Sequence, residues 1–217
     1  QEIDATYLTA ARNDTADNVS AANIWGYAGQ DISGDYYIYQ AFLKWDTSAV
    51  GSDTVSNVDF EVEGNYDGTT TDFVVETYAY PFGTLTTADY RDSDTNIPLL
   101  GSIIASYDTT GGWSTSAGYN NDLGANANFN SAINGAGDTE VVVISQEHRN
   151  ESAPTTMEIV RWSATGNTND ARLTITHTPS GPTLTYLAPD ADIATTGWAT
   201  APLWSKVDDD PDSPDAT

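Results

Sequence analysis

The segment Val58-Asp-Phe-Glu-Val-Glu63 (VDFEVE) alternates apolar and acidic side chains one by one. Successive side chains of a β-strand point to opposite faces of a sheet, so this segment predicts a strand with one buried and one solvated face. Similar compositions, rich in Val, Ile, Thr and aromatic residues, occur on both sides of it along the chain. These segments are residues 24–27, 73–80, 99–107, 140–147, 156–163 and 171–178. We therefore expect an all-β protein.

Two segments depart from this alternation. Residues 36–45 (YYIYQAFLKW) are apolar on both faces, which predicts one central strand. Residues 122–135 (DLGANANFNSAING) place Phe129 and Ile133 four apart and end in Asn-Gly, which predicts one short helix near 126–134 with a C-cap. Eight or nine short strands with so little helix indicate an antiparallel two-sheet, jelly-roll-like β-sandwich.

The composition changes at Pro179-Ser-Gly-Pro182. Residues 1–178 form the predicted sandwich, and its last strand, 169–178, is expected to be central or nearly so, with Leu173 and Ile175 buried. Residues 179–217 are interpreted as a linker and an extended C-terminal arm, or as the start of a second module. The large apolar residues of this arm are Tyr186, Leu187, Trp198, Leu203 and Trp204. Because exposed indole rings promote association, we expect the arm to contact a neighbouring subunit or a second module, with packing on its own sandwich as the alternative.

The charge of the chain narrows the classes of partner. Thirty-two Asp and Glu face seven Lys and Arg, which gives a formal net charge of -25. Such a surface repels phosphate backbones and anionic lipids, so nucleic acid is excluded as a partner. No apolar run approaches the roughly 18 residues of a membrane span, so membrane insertion is not expected. The absence of Cys and the start at Gln1 fit a processed protein located outside the cell or on a virion surface.

The sequence carries no recognisable catalytic constellation. The two histidines, His148 and His177, lie near strand ends, and no G-x-S-x-G motif is present. A glycosidase would need two carboxylates facing one cleft, and no spacing marks such a pair. We therefore predict a protein that is not an enzyme and assign no catalytic residue.

Several residues are candidates for binding or modification. Calcium prefers oxygen ligands in flexible geometry, and it is the only cofactor considered. Its candidate ligands are Asp31 and Asp35 in the turn DISGD, and Asp208, Asp209 and Asp210 in the tail, although a solvated acidic surface is the favoured explanation for each turn. The candidate glycan contacts are Tyr37, Tyr39, Trp113 and Tyr119, with Trp25 and Tyr27 as a further pair, and the alternative is that these rings are core residues. Asn13, Asn18 and Asn150 stand in glycosylation sequons.

Four segments resemble a known family. They are Asp4-Ala-Thr-Tyr7, Phe42-Leu-Lys-Trp-Asp-Thr-Ser48, Val55-Ser-Asn-Val-Asp-Phe-Glu-Val62 and Asn169-Asp-Ala-Arg-Leu-Thr-Ile-Thr176. Their order resembles the DNRLRE-type β-sandwich domain, a fold akin to carbohydrate-binding modules that occurs in bacteriophage virion proteins and secreted surface proteins. Trp45 and Thr47 stand where the family often has Phe and Leu, and this chain is more acidic than is usual there. The resemblance implies a fold and no catalytic residues.

Two functions remain open at this stage. The first is a non-enzymatic structural or adhesive module on the exterior of a particle, such as a phage decoration, fibre or tail component, or an extracellular filament subunit. Its partners would be other copies of itself, other particle or surface proteins, or a glycan. The alternative is a carbohydrate-binding module of a larger secreted enzyme.

Overall fold

The computed structural model describes residues 1–13, 15–20, 25–163 and 169–180. The chain divides into two units, Gln1–Ser180 and Gly181–Thr217, and the second unit lies outside the described residues. The predictions for the arm (Tyr186, Leu187, Trp198, Leu203 and Trp204) and for Asp208, Asp209 and Asp210 therefore also lie outside them. Within the described ranges, no helix has the length and apolar character needed to cross a membrane.

The described residues form twelve strands and three short α-helices. The strands are β1 (Glu2–Asp4), β2 (Trp25–Ser33), β3 (Asp35–Tyr39), β4 (Ala41–Asp46), β5 (Thr54–Val62), β6 (Gly64–Asp67), β7 (Val74–Ala79), β8 (Ile103–Asp108), β9 (Asn121–Asp122), β10 (Asp138–Ser145), β11 (Glu158–Ser163) and β12 (Arg172–Thr178). The helices are α1 (Tyr7–Ala11), α2 (Ala127–Ala132) and α3 (Gln146–Arg149).

All strand pairing is antiparallel and divides into three sheets. The first sheet has the order β1-β3-β2-β11-β6, the second β4-β10-β7-β8, and the third β12-β5-β9. The expected all-β, sandwich-like fold is confirmed, but the strands pair as three sheets where two were predicted. Only Glu63 separates β5 from β6, so one extended segment passes from the third sheet into the first.

The main core confirms the alternation in the segment VDFEVE. Val58, Phe60 and Val62 are buried, and they pack with apolar residues from the other two sheets. Phe60 makes edge-to-face contacts with Trp45 and Phe129, with ring centroids 5.4 and 6.1 Å apart. Such ring pairs add to the stabilisation that burial of their apolar surface provides. The segment that decides the fold class therefore also supplies the centre of the core.

The prediction of a single central strand over residues 36–45 is wrong. The segment forms β3 in the first sheet and β4 in the second, with a break at Gln40. The side chain of Gln40 accepts a hydrogen bond from the backbone N–H of Arg91 at 3.0 Å and donates one to its carbonyl oxygen at 2.7 Å. The segment is apolar on both faces because it crosses from one sheet to another and turns a different face to the interior in each.

The short helix is confirmed as α2, and Asn126 caps it by accepting a hydrogen bond from the N–H of Asn128 at 2.8 Å. It buries Phe129 but ends at Ala132, before the Asn-Gly pair that was expected to cap it. Ile133 has already turned to an extended conformation, with φ -66° and ψ 122°.

The predicted position of the last strand is wrong. Among the described residues β12 pairs only with β5, so it is an edge strand of the third sheet. Leu173 and Ile175 point toward the main core but are only partly buried. An edge strand has one neighbour instead of two, so its inward side chains receive less cover than those of a central strand.

The outer face of the second sheet is covered by a connecting loop. Val142, Ile144 and Tyr78 on this face pack with Ile97 into a separate buried cluster. Ile97 belongs to the long connection between β7 and β8. The second sheet is therefore buried on both faces.

Candidate binding surface

Alternating residues of four adjacent strands build one aromatic surface on the first sheet. Tyr37 and Tyr39 are on β3, Trp25 and Tyr27 on β2, Arg161 on β11 and Tyr66 on β6. The register places Arg161 opposite both Tyr27 and Tyr66, and it places Tyr39 opposite Gly29. The neighbouring residues Ala28, Val160 and Trp162 point the other way, into the main core. We call these six residues the aromatic face.

The side chains of the aromatic face contact one another. The rings of Tyr27 and Tyr39 stack with centroids 5.7 Å apart and an interplanar angle of 28°. The guanidinium carbon of Arg161 lies 5.0 Å from the ring centroid of Trp25, 5.8 Å from that of Tyr27 and 5.3 Å from that of Tyr66. All six residues keep part of their surface exposed, and Tyr66 is 39% exposed. The face therefore combines apolar area with a cation that is attracted to aromatic rings.

Arg161 has an unusual set of partners for an arginine in so acidic a protein. Its Nε donates to Asn65 Oδ1 at 2.6 Å, and its Nη1 makes a long contact of 3.5 Å with the hydroxyl of Tyr27. Arg12, Arg149 and Arg172 each donate to a carboxylate. Within the described part of the chain, no carboxylate oxygen comes within 4.0 Å of Arg161.

Arg91 is the other described arginine without a carboxylate partner. It donates to the carbonyl oxygens of Ala88 and Asp89 and lies over the ring of Tyr80. Backbone carbonyls therefore take up its hydrogen bonds. Arg161 differs because it is held between rings on a sheet face.

A cleft of about 870 Å³ adjoins the aromatic face. Trp25, Tyr27 and Tyr39 line it together with residues of β4, including Lys44 and Trp45. Its volume and its aromatic lining are typical of a ligand site. Lys44 is bound to Asp138 and Glu140 at 2.8 and 2.9 Å, so its charge is already neutralised. The polar groups around the cleft are mainly amides and hydroxyls, among them Gln1, Asn18, Ser20 and Thr86.

The described lining of the cleft is poor in carboxylates. Asp170 is the one carboxylate among the described residues that line it. A glycosidase needs a second carboxyl group within about 5–9.5 Å, placed so that one acts as acid and the other as base or nucleophile. The other polar groups of the described lining are amides, hydroxyls and the amine of Lys44, and together with the aromatic rings they can contact a ligand.

Buried carboxylates lie in a separate network beneath the first sheet. The hydroxyl of Tyr7 donates to Gln30 Oε1 at 2.9 Å, and Gln30 Nε2 donates to Glu158 Oε2 at 3.0 Å and to the carbonyl of Ser152 at 2.7 Å. Burial raises the pKa of Glu158, and it also raises the pKa of Glu147, with a smaller contribution from the charge of Glu158. Neither glutamate lines the cleft, so this network joins β2, β11 and α1 as structure.

The two histidines have separate, structural partners. Burial lowers the pKa of His148 to about 4, so its ring is neutral, and its Nε2 lies 2.8 Å from the carbonyl oxygen of Arg91. The Nδ1 of His177 lies 2.6 Å from Asp53 Oδ2, close to the end of β12. These contacts hold loops and strand ends in place.

The structure separates the four candidate glycan contacts. Tyr37 and Tyr39 lie together on the aromatic face, next to Trp25 and Tyr27. Trp113 is only 4% exposed and packs between Tyr107 and Trp162, so its prediction as a glycan contact is wrong. It is buried because its indole fills the space that Gly64 leaves open, where a Cβ would lie 2.5 Å from its Nε1.

Tyr119 lies away from the aromatic face. Its ring lies 3.9 Å from the guanidinium carbon of Arg172, and its hydroxyl donates to the carbonyl oxygen of Asp170. Arg161 and Tyr66 were not among the residues predicted from the sequence. The sequence contains a feature that points to Arg161. This charged residue stands between the apolar Val160 and Trp162 in a predicted strand.

The remaining candidates have distinct surroundings. Asp31 accepts a hydrogen bond from the N–H of Ile32, and Asp35 is exposed at the start of β3. In the described ranges, no group of three or more His, Asp or Glu side chains is arranged to hold a metal ion.

The sequon asparagines differ in exposure. Asn13 donates its amide to the buried Glu2, whereas Asn18 and Asn150 are exposed. Glycosylation at all three positions stays a prediction, and modification of Asn13 would cost its bond to Glu2.

Comparisons with known proteins give no relative for this chain. No protein-family model matches it. No curated protein and no solved structure matches it either.

Proposed function

We propose that this protein is a non-enzymatic structural or adhesive module on the exterior of a particle, such as a virion decoration, fibre or tail component, or an extracellular filament subunit. The observation that carries the proposal is the aromatic face, a partly exposed sheet surface of Trp, Tyr and Arg. These three residue types dominate the centres of protein interfaces. The resemblance to DNRLRE-type domains of virion and surface proteins supports the same role.

Assembly would use contacts of the sandwich and of the C-terminal arm. The arm carries Trp198 and Trp204 in a segment of 37 residues that is too short to form a large core. The net charge of -25 opposes association at low ionic strength, and salt screens this repulsion over a Debye length of about 8 Å at 0.15 M and about 3 Å at 1 M. We therefore expect assembly to strengthen as salt is added.

Native mass measurement of the full chain between low and high salt tests this proposal, together with electron micrographs of the same samples. Ordered assemblies that grow with protein and salt concentration are the expected result. A chain that stays monomeric at every salt and protein concentration would overturn it.

A second candidate is a carbohydrate-binding module of a larger secreted protein, and the aromatic cleft favours it. Trp25, Tyr27 and Tyr39 offer ring faces, and Gln1 and Asn18 offer amides for hydroxyl groups. Tryptophan fluorescence during titration with neutral polysaccharides tests it, with Trp25→Phe as the variant and Trp204→Phe as the control. Quenching that Trp25→Phe abolishes and Trp204→Phe keeps would support it, and an unchanged spectrum would exclude it for the glycans used.

A further inference from the structure

We infer that the aromatic face is the contact between two copies of this chain, related by a twofold axis and fixed by a pair of reciprocal Arg161–Asp31 ion pairs. This inference rests on the proposed function and names the surface that the assembly uses. The observation behind it is the set of contacts that Arg161 makes. A guanidinium group presents a planar fork that matches a carboxylate, and among the described residues Arg161 uses only part of this fork.

The partner carboxylate can be found on the same face. Asp31 lies on β2 opposite Tyr37, and it follows Tyr27 by four residues, so both point outward. Arg161 lies opposite Tyr27. At roughly 3.3 Å per residue, Asp31 and Arg161 are therefore displaced by about 13 Å along the strand direction. This distance is too great for an ion pair within one chain.

The two charges thus flank a central aromatic area. Tyr27 lies beside Arg161 and Tyr37 lies beside Asp31 on neighbouring strands, and Tyr39, which stacks on Tyr27, lies at the level between them. A surface with a cation at one end and an anion at the other is complementary to itself after a rotation of 180°. A twofold axis near the stacked tyrosines would bring Arg161 of each copy to Asp31 of the other copy.

The composition and charge of the face fit a second copy better than other occupants. Trp, Tyr and Arg form the central residues of stable interfaces, and pairs of tyrosines bury large area at low entropic cost. The net charge of -25 repels a second copy as it repels any acidic partner, so association needs a specific carboxylate at a defined position opposite Arg161. A second copy supplies one by symmetry. A stable interface buries about 800 Å² per partner, so residues around the aromatic face would complete it.

Reversal of the two charges tests this arrangement. Arg161→Asp and Asp31→Arg should each place like charges opposite one another and raise the dissociation constant of the dimer at least about tenfold, which corresponds to 1.4 kcal/mol. The double variant Arg161→Asp/Asp31→Arg should restore association, because the reversed pairs are again complementary. The measurement is sedimentation equilibrium of the full chain at fixed salt, with the thermal unfolding of each variant as a check on folding.

Arg172→Asp is the matched control. Arg172 also lies against a tyrosine ring, but Glu61 of its own chain binds it at 2.6 Å. This variant changes the net charge as much as Arg161→Asp does, and it should leave the dimer unchanged. Should it weaken association as strongly, the general charge and not the Arg161–Asp31 pair would be responsible, and the inference would be overturned.

The other outcomes are also decisive. If the wild-type chain associates and neither single variant affects it, or if the double variant fails to restore association, the inference is wrong while the proposed function stands. If the wild-type chain never associates, both are wrong. If Arg161→Asp abolishes polysaccharide binding but does not change the association of the chain in sedimentation equilibrium, the aromatic face belongs to glycan recognition instead.

Discussion

The outer faces of the first and second sheets are both rich in large apolar side chains, but among the described residues only the face of the second sheet is covered by a connecting loop. On the second sheet, Val142 and Ile144 are fully buried beneath the connection that contains Ile97. On the first sheet, Tyr27 and Tyr66 remain partly exposed. Monomeric proteins rarely leave large apolar patches open, and this contrast supports our proposal that the first sheet receives a partner where the second receives a loop.

The largest expected loss of stability comes from a substitution on the covered outer face of the second sheet. Ile144→Ala should lower the free energy of unfolding by about 2–5 kcal/mol, because it removes buried methylene groups and leaves a cavity. Denaturant unfolding measures this loss. Ile32→Ala is the control, since Ile32 is 37% exposed and its truncation should cost less than about 0.5 kcal/mol. Equal losses in both variants would contradict the contrast between the two faces.

The second largest loss of stability is expected when an ion pair on the second sheet is broken. Glu76 is 1% exposed and accepts hydrogen bonds from Arg149 Nε and Nη2 at 2.7 Å. Burial alone would raise the pKa of Glu76, but the hydrogen bonds from Arg149 and Tyr78 hold it below its ordinary value. Arg149→Gln should cost about 1–3 kcal/mol, which is less than the ~3–5 kcal/mol of a fully buried pair because Arg149 keeps 34% of its side chain exposed.

The pH dependence of this loss follows from the sign of the shift. A carboxyl group with a lowered pKa in the folded state stabilises the fold above its unfolded pKa, and this stabilisation is lost as the pH falls through the folded pKa. The difference between wild type and Arg149→Gln should therefore be largest at neutral pH and shrink in acid. Unfolding curves at neutral and acidic pH measure it, and a difference that grows in acid would contradict the assignment.

Beneath the first sheet, we expect a substitution to raise the stability of the fold by a smaller amount. Burial raises the pKa of Glu158, whose side chain accepts a hydrogen bond from Gln30. A raised pKa in the folded state means that the ionised form destabilises the fold at neutral pH, and that stability rises as the pH falls through the folded pKa. Glu158→Gln keeps an oxygen for Gln30 and removes the charge, so its melting temperature at neutral pH should exceed that of wild type. A lower melting temperature across the whole pH range would show that the carboxylate is needed for folding.

The smallest effect on stability is expected on the aromatic face itself. Tyr66→Ala removes a 39% exposed ring and one contact with Arg161, and it should cost less than about 1 kcal/mol. Tyr66→Phe keeps the ring and should behave as wild type. Thermal unfolding measures both. A loss as large as that of Ile144→Ala would mean that the face stabilises the monomer and is not held open for a partner.

Structural features whose pattern is local follow from the amino-acid sequence. The alternation in VDFEVE placed Val58, Phe60 and Val62 in the core, and the spacing in residues 122–135 predicted α2 with Phe129 buried. Tyr37 and Tyr39 are two residues apart, and such side chains of one strand share a face. Such features depend only on the geometry of one strand or helix.

The tertiary structure alone decided how these elements meet. Residues 36–45 look like one buried strand, but the hydrogen bonds of Gln40 with Arg91 fix the point at which the chain crosses between sheets, and Arg91 is about fifty residues away. The sequence does not distinguish Trp113 from Tyr39 as an exposed aromatic residue. Trp113 is buried because it packs against Tyr107 and Trp162. The aromatic face likewise needs four strands from distant parts of the chain. Cross-strand neighbours are set by register and sheet order, which no local pattern encodes.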